Sequence, residues 1–221
     1  MTRERILAAA IQVADAEGLP GLTMRRIAAH LDVEAMALYH HLPNKDAVLD
    51  GVVETLVERI REAAGGKAAP GDWRAQVRHR CLAARSVMVT HPWAPALLTT
   101  RTSIPAGVYV WFDETLGVML DGGVGTRLGH QALHSLGSMV LGFMQELFSP
   151  AAAGGSTDTE QAEEELAAMA QLLPHLTAMV AAELHDQADP ELGWCDSQVE
   201  FEFTLDLILD GLERRRLREQ A

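Results

Sequence analysis

Two histidines, His130 and His134, stand four positions apart, so their imidazoles would share one face of a helix at a spacing that suits a metal ion. A zinc metalloprotease of this pattern needs a glutamate base directly after the first histidine, and this chain has Gln131 there. Neither a glycine-rich phosphate loop nor a nucleophile elbow occurs elsewhere in the sequence. A metal-dependent enzyme using His130 and His134 is therefore an alternative of low rank. We predict no catalytic residue, no metal and no cofactor.

The two cysteines, Cys81 and Cys195, are far apart in sequence and form no metal-binding pattern. They could pair, but two half-buried thiols are the more common arrangement in a chain of a reducing compartment. The sequence therefore leaves open whether either cysteine has a redox role.

The composition favours an all-helical protein. Hydrophobic residues make up 48% of the 221 residues, aromatic residues only 5%, and alanine and leucine are abundant while runs of β-branched residues are few. No apolar run is long enough to span a bilayer, and the first residues have the spacing of an amphipathic helix rather than of a signal peptide. We therefore expect a cytoplasmic protein with no membrane partner.

The charge is unevenly distributed along the chain. The net charge is −13, which by itself disfavours a nucleic-acid partner. Residues 1–46, however, carry five basic and six acidic side chains, so their net charge is only −1. A nearly neutral module can bind DNA if its cations lie on one face.

The segment 33–46 contains a very short helix that ends at Leu42-Pro43, followed at once by a new helix that Asn44 can cap. A helix this short is marginal alone and needs neighbours to hold it. The segment carries an unusual density of aromatic and polar side chains, namely Tyr39, His40, His41 and Lys45. These features indicate a displayed helix rather than a buried one.

Two further helices precede this segment. Residues 2–18 have one apolar face and end at Gly18, and Thr23 can cap a second helix over 24–31. Asp32 then occupies a position that requires a left-handed backbone. Three helices joined by two tight turns predict a helix-turn-helix whose third helix, about 35–41, reads DNA.

The residues that carry this pattern resemble the DNA-binding domain of the tetracycline repressor (TetR) family. They are Gly21-Leu22-Thr23-Met24-Arg25-Arg26-Ile27-Ala28, Leu31-Asp32-Val33-Glu34 and Leu38-Tyr39-His40-His41-Leu42-Pro43-Asn44-Lys45. The resemblance implies a homodimeric, ligand-responsive transcriptional repressor that binds an inverted-repeat operator in double-stranded DNA.

By this resemblance, the DNA-binding residues are expected to divide into phosphate contacts and base contacts. Tyr39 and Lys45 would hold phosphates, while Arg25 would reach a base edge or a phosphate. The alanine and methionine methyl groups of the third helix can contact only a thymine methyl. The complete set is Thr23, Met24, Arg25, Ala35, Met36, Ala37, Tyr39, His40 and Lys45.

The remainder of the chain is predicted to be a larger helical domain. We expect a DNA-binding domain at 1–46 and a ligand-binding and dimerisation domain at 47–221, joined by a long helix over 44–64 that links the ligand to the DNA reader. Dimerisation is expected through helices 125–148 and 197–218, since the first is rich in small residues and the second carries a stripe of Phe201, Leu205, Ile208 and Leu212.

A looser resemblance of this region to the C-terminal domain of tetracycline repressors implies a pocket for a small-molecule effector. The candidate lining residues are Arg61, Met88, Trp93, Leu97, Arg101, Trp111, Phe112, His134 and Phe143. These side chains suit a flat or apolar molecule. Tetracycline repressors hold the drug's magnesium with a histidine where this chain has Leu97, so we predict neither metal nor tetracycline. The other alternative to a ligand-responsive regulator is a DNA-binding protein that has no effector.

Overall fold

A computed structural model describes residues 1–65, 72–143 and 197–220, together with a few residues between 170 and 178. Within these ranges every regular element is a helix, which confirms the predicted all-α class. The helices are α1 (Arg3–Gly21), α2 (Met24–His30), α3 (Ala35–Tyr39), α4 (Lys45–Ala63), α5 (Trp73–Thr90), α6 (Ala94–Thr100), α7 (Ala106–Asp121), α8 (Thr126–Gly142) and α9 (Ser197–Glu219). Cys195 and the predicted continuation of α8 to residue 148 lie outside the described residues.

The chain divides into two compact units. The first contains residues 1–144 and 208–221, and the second contains residues 145–207. In the second unit the structure describes mainly the first part of α9, where Phe201 and Leu205 are buried. A domain boundary after residue 46 stays a prediction.

Side-chain caps define where several helices begin. The Asn44 carboxamide oxygen accepts a hydrogen bond of 2.8 Å from the backbone N–H of Ala47 at the start of α4, and Thr23 caps α2 in the same way. Gly18 departs from helical geometry with a φ of 69°, as predicted, but Leu19–Gly21 add a further turn to α1. The first helix is therefore longer than the sequence indicated, and it is kinked at Gly18.

The core of the N-terminal helices forms where α1 packs against α2 and α4. Ile6, Ala10 and Val13 on the inner face of α1 are buried, as predicted from their helical spacing. Ile27 from α2 and Leu38 from α3 complete this core at 1% and 0% exposure. The hydrophobic burial of Leu38 compensates for the low intrinsic stability of a five-residue helix.

The body of the first unit is built around α4, which packs against α5, α6 and α7, while α8 packs against α5 and α7. The turn after α7 lies directly against the start of α5. A Cβ atom at Gly122 would come within 2.4 Å of the Trp73 side chain, so only glycine permits this close approach. In the part of the chain that the structure describes, no helix is long and apolar enough to cross a membrane.

One predicted detail of α9 is wrong. Leu209, rather than Ile208, joins Phe201, Leu205 and Leu212 on the buried stripe. Both positions fit a period of 3.6 residues, so the sequence alone could not separate them. Asp210 on the neighbouring turn forms an ion pair with Arg74 of α5.

Candidate nucleic-acid interface and effector cavity

The turn between α2 and α3 has the geometry that a helix-turn-helix requires. Asp32 adopts a φ of 54°, the left-handed conformation predicted for it, and the backbone N–H of Val33 donates to the Ala28 carbonyl at 3.0 Å. The chain then enters α3 at Ala35 without a side-chain cap. This short helix is positioned by the turn before it and by the buried Leu38 behind it.

Most of the predicted DNA-contacting side chains are exposed. Met36 is 70% exposed and Tyr39 is 41% exposed, so both are accessible to a partner. The other exposed members of the set are Thr23, Arg25, His40 and Lys45, while Ala35 and Ala37 are half-buried. Their contacts with DNA stay predictions.

Met24 is not among these exposed side chains, so its place in the predicted DNA-binding set is corrected. It is only 9% exposed and packs within the core of the N-terminal helices. Its position immediately after the Thr23 cap places it on the inner face of α2. Arg26, two positions later, forms an ion pair of 3.0 Å with Glu17 of α1, whereas the neighbouring Arg25 is exposed.

The first unit contains an apolar cavity of about 280 Å³. Four of the nine predicted ligand-binding residues line it: Met88, Arg101, Trp111 and Phe112. The other lining residues are mainly aliphatic and come from α4 to α8: Val53, Val57, Ile60, Arg80, Cys81, Ala84, Leu98, Thr99, Ser103, Ile104, Pro105, Val108, Thr115, Leu133, Leu136, Gly137, Val140 and Leu141. A cavity of this composition suits a small apolar ligand with few polar groups.

Arg61 does not line this cavity because its side chain is used elsewhere. It donates two hydrogen bonds of 3.1 and 2.6 Å to the Glu114 carboxylate and a third of 2.6 Å to Glu58. These hydrogen bonds, those to Glu114 foremost, raise the pKa of the Arg61 guanidinium. Arg61 therefore joins α4 to α7, a structural role that differs from the predicted ligand contact.

Four more predicted ligand-binding residues also lie away from the cavity lining. Leu97 is 1% exposed within the core beside the N-terminal helices, and the Trp93 indole N–H donates to Asp15. His134 is exposed, with its Nε2 3.2 Å from Nε2 of His130, and Phe143 lies half-buried just past the end of α8. Across the described residues, no group of three metal-binding side chains forms at the histidine pair or elsewhere.

Two cavity residues that sequence reasoning missed are Arg80 and Cys81 on α5. The Arg80 guanidinium lies over the Trp111 ring, 4.9 Å from its centroid, and burial lowers its pKa. Burial also raises the pKa of the Cys81 thiol to about 12. The signal was present, since Arg80 stands between Val77 and Ala84 on the inner face of α5, where a charged residue is unusual.

A second cavity, of about 600 Å³, lies between α5 and α7 and has a different character. Its lining is more polar and includes four acidic residues: Asp72, Asp113, Glu114 and Asp121. Arg80 contributes to both cavities. The smaller cavity is the better candidate for an effector, because ligand sites are mainly apolar with a few polar groups.

Two groups of polar side chains connect the N-terminal helices to the body. The first, which we call the α1 link, contains Asp15, Arg59, His91 and Trp93. One Asp15 carboxylate oxygen accepts from His91 Nδ1 and from Trp93 Nε1, both at 2.7 Å. Arg59 donates to His91 Nε2 at 3.0 Å. Because arginine can only donate, this hydrogen bond requires His91 Nε2 to accept, and it therefore belongs to the tautomer that carries the proton on Nδ1, facing Asp15.

The second group, which we call the α4 link, contains Arg101, Asp46 and Asp50. Arg101 Nε donates to Asp50 at 2.8 Å, and its two terminal nitrogens lie 3.2 and 3.3 Å from one oxygen of Asp46. Asp46 falls in the first turn of α4, beside Lys45. The α4 link therefore joins a residue of the apolar cavity to the helix end where a phosphate contact is predicted.

A capped helix-turn-helix with an exposed third helix, followed by a helical body with an apolar cavity, defines a DNA-binding regulator with a site for a small molecule. Residues 6–52 match the family model for bacterial regulatory proteins of the tetR family, and residues 66–216 match the model for the tetracycline repressor-like C-terminal domain. The chain belongs to the TetR family of transcriptional regulators.

Among curated relatives, the HTH-type transcriptional repressor DrrR1 of Streptomyces coeruleorubidus is 29% identical over 219 residues, covering 96% of this chain and 77% of that repressor. The class C tetracycline repressor protein of Escherichia coli is 27% identical over 218 residues, covering 98% of this chain and 93% of that repressor. Both alignments extend through the DNA-binding helices and the body.

Solved structures show the same architecture. Apo ActR from Streptomyces coelicolor superposes with a TM-score of 0.74 at 25% identity, over all of this chain and 98% of that one. ActR in complex with actinorhodin gives a TM-score of 0.73 at 25% identity, covering 96% of this chain and 95% of that one.

Proposed function

We propose that this chain acts as a homodimeric repressor that binds an inverted-repeat operator and leaves it when a small apolar or aromatic effector enters the apolar cavity. The observation that carries the proposal is the surface of α3, where Met36 and Tyr39 are exposed on a five-residue helix held by the buried Leu38, and the exposed His40 directly follows the helix. Large exposed side chains on such a short helix serve recognition rather than folding. The regulator would act in the cytoplasm, where bacterial DNA lies.

Dimerisation would use α8 and α9, as predicted from the sequence for helices 125–148 and 197–218. Phe203 and Leu207 of α9 are 64% and 56% exposed in the single chain, and a second copy could cover them. Ser135 and Ser138 are exposed along α8, and small side chains allow another helix to approach closely. A two-fold dimer presents two copies of α3, which matches an operator with two related half-sites.

Effector release is supported by the position of the cavity along α4. Val53, Val57 and Ile60 line the cavity, and the same helix begins at Lys45 beside the reader. A ligand that fits the cavity only after α4 moves would favour a dimer whose two readers no longer match the operator. A DNA-binding protein without an effector would not need an apolar cavity in this place.

The first experiment identifies the operator by selecting bound duplexes from random DNA and from the region upstream of the chain's own gene. Tyr39→Ala and Lys45→Ala should then weaken binding to specific and non-specific duplexes by similar factors, because both residues are predicted to contact phosphates. Lys45→Ala, which removes a cation, should also reduce the salt dependence. Fluorescence anisotropy of labelled duplexes measures both effects. Arg127→Gln, which removes an exposed positive charge from α8, is the matched control: size-exclusion chromatography checks that it still forms a dimer, and its affinity should then be unchanged. Operator binding by Tyr39→Ala and Lys45→Ala at wild-type strength would disprove the assigned reader.

A second variant separates base reading from phosphate contact. Arg25→Ala should cost about 1–3 kcal/mol of operator affinity and broaden the selected sequence at one position of each half-site, if Arg25 contacts a base edge. Repeating the selection with this variant tests the assignment. A uniform loss without broadening would move Arg25 to the phosphate contacts.

A further inference from the structure

The charged side chains that line the apolar cavity are both arginines. Arg80 comes from α5 and Arg101 follows α6, and the lining that the structure describes contains no aspartate or glutamate. Two arginine side chains in an otherwise apolar lining can present positive charge where little water screens it, once a ligand draws a guanidinium away from its carboxylate partners. Such a site favours a ligand that brings a negative charge of its own.

The two arginines differ in how firmly they are held. Arg80 is 3% exposed, lies over Trp111, and has Nη1 3.8 Å from the Glu114 carboxylate that Arg61 also binds. Arg101 is 9% exposed, but its carboxylate partners reach into solvent, with Asp46 78% and Asp50 36% exposed. An ion pair with a carboxylate as exposed as Asp46 contributes little free energy, whereas Asp50 is half-buried. Arg101 can therefore exchange Asp46 for another anion at low cost, and an acid that binds it more strongly also displaces Asp50.

We propose that the effector is a planar, largely apolar molecule with one acidic group, and that this group binds Arg101 in competition with Asp46 and Asp50. The proposal rests on the proposed function, and it names the chemistry of the ligand and the contact that transmits its binding. Trp111 and Phe112 supply the surface against which a planar ring system packs. The acidic group is a carboxylate or an ionised phenol. A carboxylate can accept two parallel N–H hydrogen bonds from a guanidinium, and a phenolate oxygen can accept one.

The proposal gives effector binding a defined consequence at the DNA reader. When Arg101 turns to the ligand, Asp46 and Asp50 lose their positive partner in the first two turns of α4. Lys45 lies next to Asp46, so the local charge and the position of a predicted phosphate contact change together. Effector binding therefore stabilises a state in which the contacts that favour operator binding are broken. This difference in contacts is what couples the affinity of the cavity to that of the DNA reader.

The test uses a matched pair of probes, 2-naphthoate and 2-naphthamide, which share a ring system and differ in charge. Calorimetric titration of the full chain without DNA should show naphthoate binding at least about tenfold more tightly than naphthamide. In Arg101→Gln this ratio should fall towards one. Arg127→Gln removes an exposed charge outside the cavity and should keep the wild-type ratio. Equal affinity for the two probes, or no binding of either, would overturn the proposal.

Two further variants keep the test independent of whether Arg101→Gln folds. Asp46→Asn and Asp50→Asn leave Arg101 in place and remove its competing carboxylates, so both should raise naphthoate affinity while naphthamide affinity stays as in the wild type. Loss of the acid preference in Arg80→Gln instead of Arg101→Gln would place the anion at the other arginine and refute the proposed coupling.

Failure of this proposal can be distinguished from failure of the proposed function. The titrations contain no DNA, and operator binding is measured without probes, so each can succeed alone. When the operator and naphthoate are both present, naphthoate should lower the operator affinity of the wild-type protein and should not change that of Arg101→Gln. Naphthoate binding at Arg101 that leaves operator affinity unchanged would contradict the transmission through Asp46.

Discussion

The two polar links between the N-terminal helices and the body differ in how firmly their central side chain is held. In the α1 link, His91 is 6% exposed and each of its ring nitrogens has one matched partner, so the geometry permits one arrangement. In the α4 link, one guanidinium is shared between Asp50, whose carboxylate is as exposed as that of Asp15, and Asp46, whose carboxylate is 78% exposed. Buried, directional hydrogen bonds are costly to break, whereas an ion pair with a carboxylate as exposed as Asp46 is not. The difference indicates that one link holds the reader on the body and the other responds to the cavity.

The largest expected effect comes from removing the centre of the α1 link. His91→Ala removes the hydrogen bonds that His91 makes with Asp15 and Arg59 and opens a void, so the free energy of unfolding should fall by about 2–3 kcal/mol. Urea denaturation followed by circular dichroism measures this loss. The comparison between the links breaks if Arg101→Gln costs as much as His91→Ala.

A smaller effect is expected at the edge of the same link. Trp93→Phe keeps most of the packing but removes the indole N–H that donates to Asp15 at 2.7 Å. The free energy of unfolding should fall by about 1 kcal/mol, the net contribution of one hydrogen bond. In the double variant with His91→Ala, the total loss should be smaller than the sum of the two single-variant losses, since both substitutions act through Asp15. Full additivity in the same denaturation assay would mean that the α1 link is not one cooperative group.

The smallest effect on stability is expected in the α4 link, and it should depend on salt. Asp46→Asn should cost less than about 0.5 kcal/mol at low salt and nothing measurable at high salt, because an exposed ion pair is weak and screened. The cost of Trp93→Phe should be nearly independent of salt. Measuring both variants at two salt concentrations sharpens the distinction, and a salt-insensitive cost for Asp46→Asn would contradict it.

The part of the molecule that could be predicted from sequence is the part determined by local rules. The Thr23 and Asn44 caps, the left-handed Asp32 and the apolar face of α1 depend on residues close in the chain, so propensity and spacing suffice. The burial of Met24 was not predicted, because its DNA-binding role was inferred from the family resemblance without regard to the face of α2 on which it lies.

The effector cavity was only half predicted, since its lining depends on how distant helices pack. Trp93 and Arg61 were chosen as aromatic and basic residues near a pocket, yet both are engaged by acidic partners 78 and 53 positions away, Asp15 and Glu114. Such pairs leave no local signature in a single sequence. Arg80 is different, because a charge at an inward-facing position of α5 could have been recognised from periodicity alone.

The raised pKa of Cys81 has a practical consequence for following the cavity in solution. A thiol with a pKa of about 12 stays protonated at neutral pH and therefore reacts slowly with alkylating and disulfide reagents. Reaction at Cys81 requires that the reagent and water enter the space between α5 and α8. In a Cys195→Ser variant, Cys81 is the single remaining cysteine of the chain. The rate at which it is labelled then measures how often the cavity opens, and this rate should fall when a ligand occupies the cavity.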